Sequence, residues 1–320
     1  MRKIPVVVLS VIALAAASLT GCSASGSAAC PRPAADPAVM DLITVTGDTD
    51  ATPKVKVYTP FHTDDLQVEE VVAGDGNVIT TSAQVAVLDV SLVSATTGER
   101  IVSTPYDGDL SRAVQISRWE QTFPQIGDIV QCAAEGSRIV AALPPGGIAP
   151  EAAPSLGVAG NDSAIVVVDV RKVHLARADG ADQFNSDRGV PTVVRAPDGR
   201  PGVIIPDGAP PSDLVVQTIK KGDGEPLTAD SLVRMHYTGI TWADREVFHT
   251  TWDSEPASTT FDALVPGLAQ ALQGKTVGSQ ILVVVPPDLG YGDRGASGVE
   301  PGSTLVFVVD ILGIDVRPAS

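Results

Sequence analysis

The chain has 320 residues, twice the ~150 of an average domain, so two domains are the first expectation. Hydrophobic residues make up 44%, enough to bury two cores, which excludes wholesale disorder. With 22 Lys+Arg against 38 Asp+Glu the net charge is −16, and so acidic a chain has no bulk attraction for phosphate backbones, which argues against a nucleic-acid partner.

The first 21 residues read as a signal. Arg2 and Lys3 precede a 14-residue apolar run, Ile4 to Ala17. That run is short for a membrane span, which needs about 20 residues. Leu19-Thr20-Gly21-Cys22 follows and resembles the bacterial lipobox, whose Cys is acylated before cleavage. Cys22 is therefore the expected lipid anchor, placing the protein outside the cytoplasm on the cytoplasmic membrane. Without Arg2 and Lys3 the chain keeps 20 basic against 38 acidic residues, a net charge of −18. Acyl chains, not basic residues, would hold it to the membrane.

Three cysteines occur. If Cys22 carries lipid, Cys30 and Cys132 are left as a pair in an oxidising compartment, and a Cys30–Cys132 disulfide is expected. Residues 22–40 are small, polar and Pro-bearing, and read as a flexible tether.

The remainder repeats itself once. DLQVEEVVAGDG (65–76) matches DLVVQTIKKGDG (213–224), GSRIVAALPP (136–145) matches GSQILVVVPP (278–287), and IVVVDV (165–170) matches VFVVDI (306–311). The order is kept, with offsets of 148, 142 and 141. A period near 145 is domain-sized, so this is a tandem duplication and not a solenoid. The copies are placed at 41–178 and 190–316, with 179–189, polar and Gly-bearing, as linker.

Each copy reads as mainly β. In the second, Leu214–Lys220, Leu232–Thr241, Gln280–Val285 and Thr304–Ile311 are short runs rich in Val, Ile, Leu and Thr, punctuated by Gly, Pro and Asp. One helix is expected from Pro266, with Gly274 just past its end. Leu268 and Leu272 share a face of it. An antiparallel sheet wrapped on one short helix is an α+β arrangement.

Other chemistries lack a signal. Gln273-Gly274-Lys275-Thr276 ends like a phosphate-binding loop, but Ala269 stands where its first glycine belongs. His62, His174 and His236 have no metal-ligand spacing, so no metal is expected.

His236-Tyr237-Thr238-Gly239, Val247-Phe248, Leu264-Val265-Pro266-Gly267-Leu268, Gly290-Tyr291-Gly292 and Thr304-Leu305-Val306-Phe307 come in order. Over roughly Gly222 to Ile314 they resemble the FKBP-type peptidyl-prolyl cis-trans isomerase domain. The whole chain resembles the tandem lipoproteins of that family in high-GC Gram-positive bacteria. The resemblance implies an isomerase without cofactor or metal, acting on X–Pro segments of exported proteins and binding macrolide inhibitors. It implies that Tyr237, Phe248 and Phe307 wall the pocket, with Leu264 beside Val265 and Val299 closing it. The Val265 N–H would bond a substrate carbonyl, and Tyr291 would offer its hydroxyl. Phe261 is a further substrate-binding candidate. The family's Asp after the Phe is His249 here, its pocket-floor Trp is Leu268, and no Arg or Lys lies between His249 and Phe261. The loss of both ion-pair partners predicts reduced isomerase activity. Trp242 and Trp252 are read as packing or surface residues.

The alignment carried into the first copy sets Asp89 against Tyr237, Val102 against Phe248 and Val166 against Phe307. No Tyr between Pro145 and Ile165 matches Tyr291. The first copy therefore keeps the strands and loses the pocket. It is expected to serve as a spacer, chaperone or partner-binding domain.

Overall fold

A computed structural model of the chain describes Arg32 and residues 35–185 and 187–318. The signal, Cys22 and Cys30 lie outside the described residues. In the first half, α1 (Pro37–Met40) leads to a hairpin of β1 (Ile43–Thr46) and β2 (Lys54–Val57). Then come β3 (Gln67–Val72), β4 (Val85–Ser94), β5 (Arg100–Ser103), β6 (Val114–Gln115), α2 (Ile126–Val130), β7 (Arg138–Leu143), α3 (Ala153–Leu156) and β8 (Ala164–Val173). The second half carries β9 (Ala181–Asp182), a hairpin of β10 (Thr192–Arg195) and β11 (Pro201–Ile204), and β12 (Val215–Lys221), β13 (Leu232–Thr241), β14 (Val247–Thr250) and β15 (Ala257–Thr259). It ends with α4 (Pro266–Leu272), β16 (Gln280–Val285) and β17 (Leu305–Asp315).

Both halves are FKBP-like, antiparallel sheets with one short helix packed inside. The first sheet runs β3-β7-β8-β4-β5, with β6 beside β4. The second runs β12-β16-β17-β13-β14, with β15 beside β13 and β9 added at the β12 edge. The reason is visible in the residues. β7, β8, β16 and β17 are almost continuous Val, Ile, Leu and Ala, so they are apolar on both faces and must be covered on both. On the inner face α2 packs on Ile139, Ala141, Val166 and Val168. On that of the second sheet α4 packs on Val283, Val285, Leu305 and Phe307.

The outer faces are covered by the hairpins, which hydrophobic periodicity did not bring out. Ile43, Val45, Val55 and Val57 pack over Val140, Ala142, Ile165 and Val167. Val193 and Val203 pack over Leu282, Val284, Val306, Val308 and Trp242. The repeating unit is thus a hairpin followed by a sheet. Trp242 is buried and donates from its indole nitrogen to Gly208 O at 3.1 Å.

Each outer layer is pinned by a buried polar cluster, with the charge placed differently. In the first copy Arg138 grips Asp169 with Nε at 2.7 Å and Nη2 at 2.9 Å, and reaches the β1–β2 turn carbonyls of Gly47 (2.6 Å) and Asp48 (2.8 Å). Tyr106 adds its hydroxyl to Asp169 at 2.8 Å. In the second copy Gln280 replaces the arginine, and Arg195 of the hairpin supplies the cation, 3.1 Å from Gln280 Oε1. Gln280 Nε2 and the Ala178 N–H donate to Asp310 at 2.7 and 2.9 Å.

Burial, the largest influence, pushes the Asp310 carboxyl up from 3.8 to about 6 against those hydrogen bonds. The folded state then holds this proton more tightly than the unfolded state. Its share of stability is greatest below about pH 4 and is lost as pH rises through about 6. Asp310→Asn removes the titration. The wild type should therefore lose Tm relative to the variant between about pH 4 and 6 and no further above it; a constant difference across that interval contradicts the assignment.

Two stretches are more ordered than their composition implies. The tether expected over 22–40 ends folded: Met40 is buried, and Arg32 bonds Gln131 O (3.0 Å) and Glu70 (3.2 Å). The linker expected over 179–189 contributes β9, which pairs with Lys220 and Lys221 of β12. Backbone pairing is indifferent to the small polar side chains that suggested freedom there.

Candidate functional site

α4 begins where Val265, extended at φ −62° and ψ 144°, hands over to Pro266. Val265 O accepts the N–H of Leu268 (3.0 Å) and of Ala269 (3.1 Å), while its own N–H has no partner among the described residues. Leu268 and Leu272 turn inward, as their spacing requires. Between α4, β13, β15 and the loop before β17 lies a cavity of about 330 Å³.

Tyr237, Leu264, Val265, Leu268, Tyr291 and Phe307 line it, together with Met235, Ala257, Ser258, Thr259 and Ala263. None of these carries a charge. Phe248 stands behind the lining, edge-on to Phe307 (centroids 5.8 Å, 89°) and to Tyr291 (6.5 Å, 81°). Tyr237 and Phe307 meet at 6.4 Å. Val299 is buried in the same core, and Phe261 packs against that core without lining the cavity. Of the second group, Ala257, Ser258 and Thr259 left no trace in the sequence. Small residues of a three-residue strand carry neither periodicity nor a distinctive side chain.

The Phe248 ring lies over the backbone of Gly239, where a Cβ would stand 2.5 Å from the ring tip. Gly239 thus makes room for the ring. Thr251 holds the next turn of this wall. Its hydroxyl accepts the Tyr237 N–H at 2.9 Å and lies 2.9 Å from His236 Nδ1. His236 stacks on Trp252 at 4.4 Å. Burial pulls the His236 pKa down to about 4, so the imidazole is neutral at pH 7. Burial, then the neighbouring Tyr291, raise the Tyr237 pKa, keeping its hydroxyl a donor.

His249 is exposed and its ring stacks on Tyr237 at 5.1 Å and 17°. The position that holds an acid in the family pattern here supplies a flat cover for an aromatic wall.

The register corrects the alignment with the first copy by one residue. Val90, not Asp89, is the counterpart of Tyr237: its N–H donates to Thr104 Oγ1 (3.0 Å) as that of Tyr237 does to Thr251, and it pairs with Val168 as Tyr237 pairs with Val309. Asp89 matches His236, on the outward face. Ile101, not Val102, then matches Phe248, because Val102 pairs with Leu92 as His249 pairs with Gly239. A slip of one residue swaps the faces of a strand, so a charged Asp could not have taken the ring's inward place. Val166 does match Phe307. The first-copy counterparts of Tyr237, Phe248 and Phe307 are thus all aliphatic. Phe123, at the place of Val265, is buried in its core.

Comparison with known proteins agrees with this geometry. The sequence pattern of the FKBP-type peptidyl-prolyl cis-trans isomerase family matches residues 224–312. The chain is similar to the "FK506-binding protein" of Streptomyces anulatus, 37% identical over 120 residues, 36% of this chain and 97% of that protein. It is similar to the "FKBP-type peptidyl-prolyl cis-trans isomerase FkpA" of Escherichia coli, 38% identical over 107 residues, 33% of this chain and 38% of that protein. The crystal structure of FkpA from Escherichia coli overlaps 41% of this chain and 54% of that one at 30% identity, with a TM-score of 0.32.

Proposed function

The chain belongs to the FKBP-type peptidyl-prolyl cis-trans isomerase family, and from that premise we propose that its second half rotates X–Pro bonds of exported proteins in the cavity between α4 and β15. The observation that carries this reading is the uncharged cavity walled by Tyr237, Tyr291 and Phe307, with Phe248 behind and, in its lining, Val265, whose N–H has no partner among the described residues. Rotation faces a barrier of ~18–20 kcal/mol because amide resonance must be broken. An apolar, water-poor cavity disfavours the charge-separated form of the planar amide and so favours the twisted one. The Val265 N–H holds a substrate carbonyl while the prolyl ring sits between Tyr237, Phe307 and Leu268. No nucleophile is needed.

A protease-coupled X–Pro peptide assay on the full chain, with and without FK506, tests the reading. Turnover that FK506 abolishes is expected. FK506 binding without turnover would favour the second reading, a module that holds Pro-containing segments, for which the loss of the pocket rings from the first copy and the exposed His249 speak.

We further propose that Cys22 is acylated and holds the protein at the outer face of the cytoplasmic membrane, and that Cys30 closes a disulfide with Cys132. The support is the Leu19–Cys22 motif and the fact that Cys132 is disulfide-bonded. Arg32, two residues beyond Cys30, bonds the carbonyl of Gln131. Metabolic labelling with a fatty acid should mark the wild type and leave Cys22→Ser unmarked; equal labelling refutes the anchor. Among the described residues no helix is long and apolar enough to cross a membrane.

A further inference from the structure

Asp315, at the end of β17, joins three parts of the molecule. Its carboxylate takes Arg234 Nη2 at 2.8 Å and the Ser258 hydroxyl, and lies 3.0 Å from His174 Nε2. All but Ser258 are buried: the side chains of His174, Arg234 and Asp315 are 2%, 9% and 6% exposed. Burial, the largest influence, pushes the Asp315 pKa up, but the contacts of His174 and Ser258 and the charge of Arg234 outweigh it and bring it to about 2.

His174 comes from the other copy, and from the equivalent place. It follows β8, and its N–H donates to Val85 O where Asp315 pairs with Leu232. The last strands of the two copies thus meet end to end, one presenting an imidazole and the other a carboxylate. Leu175 N–H to Leu312 O (3.0 Å) and Lys172 Nζ to Ile314 O (2.6 Å) fix the approach. Gly313 leaves the space, since a Cβ there would stand 2.1 Å from His174 Nδ1. A second link crosses nearby: Arg118 of the first copy lies 3.6 Å from Glu255, two residues before β15.

β15 is the strand these ties converge on. Ala257, Ser258 and Thr259 line the cavity, yet none is buried, and β13 is the strand they pair with. A three-residue strand with so little apolar burial opens at low free energy unless polar contacts hold it. Arg234 holds it from β13 through Pro256 O (3.1 Å), and Asp315 holds it through Ser258.

We propose that the first copy, which lacks the pocket rings, is a positioning element for the isomerase site: His174 orients Asp315, Asp315 fixes Ser258 and Arg234, and β15 thereby keeps its side of the cavity closed on substrate. The kinetic half of this inference rests on the isomerase reading above; the structural half does not. His174, Asp315 and Arg234 are positioning residues and touch no substrate.

Hydrogen exchange over residues 255–260 and steady-state kinetics, both on the full chain, test it. His174→Leu should speed exchange there about tenfold and raise KM about fivefold, with kcat within about twofold. His174→Gln, which keeps a donor facing Asp315, should restore both. His174→Leu and Ser258→Ala should not add, because each cuts the same chain of contacts. If His174→Leu fails to fold, the exposed Arg118→Ala should still speed exchange at 255–260 about twofold. Unchanged exchange in a folded His174→Leu, or strictly additive effects, overturns the proposal. Absence of turnover in the wild type sinks the isomerase reading and leaves exchange to decide this one.

Discussion

Phe248→Ala is expected to lower kcat/KM on an X–Pro peptide about 100-fold while the protein stays folded. The ring makes two edge-on contacts, to Phe307 at 5.8 Å and to Tyr291 at 6.5 Å. Pairs of this kind contribute about 0.5–1.5 kcal/mol each beyond their buried area. Removing the ring also admits water behind Phe307, where low polarity favours the twisted amide. A hundredfold change corresponds to ~2.7 kcal/mol of transition-state stabilisation, lost when the wall behind the twisted amide loosens and takes in water. Phe248 is only half-buried, so the cost to stability is smaller than for the buried Phe307. A change of less than about threefold would remove the aromatic wall from the mechanism.

Arg138→Leu is expected to destabilise the first copy by about 3–5 kcal/mol, the range for breaking a buried ion pair from one side. The Asp169 side chain is 0% exposed and that of Arg138 2%. Leucine leaves the carboxylate with the Tyr106 hydroxyl and Arg171 nearby, and leaves the carbonyls of Gly47 and Asp48 without their donor. Burial, the largest influence, already raises the Asp169 pKa against the pull of Arg138. Without the arginine it rises further, and the acid takes a proton in place of staying ionised and unpaired. The deficit should therefore shrink as pH falls, and Asp169→Asn should recover part of it at pH 7. Thermal unfolding followed across pH checks both. A deficit below about 1 kcal/mol at pH 7 would show the pair to be dispensable to the outer layer.

The apolar half of the fold was legible in the sequence, and the polar half was not. β13 and β16 lie where their Val, Ile and Leu runs place them, and α4 starts at Pro266, since burial and helix entry are written in single residue types. The hairpins leave no signal because Thr-Val-Val-Arg and Pro-Gly-Val-Ile are too short to show a period. Their partner face shows only as strands apolar on both sides. The rings of the site are marked by their order along the chain, whereas similarity between the copies sets Asp89 where Val90 belongs. Similarity between copies fades at the pocket, and only the hydrogen-bond register resolves a single-residue slip. His174 with Asp315 had no local signature at all: the two residues are distant in the chain, and each copy alone explains neither.

The outer layer sets where this protein can be cut. Ile240, Trp242, Leu282, Val284, Val306 and Val308 are sealed by a hairpin that begins at Thr192, well ahead of the family match at residue 224. A fragment trimmed to that match would present this whole face to water as one contiguous greasy plate. It would be prone to self-association for reasons unrelated to its site. The smallest soluble form of the second copy should start no later than the residue before Thr192.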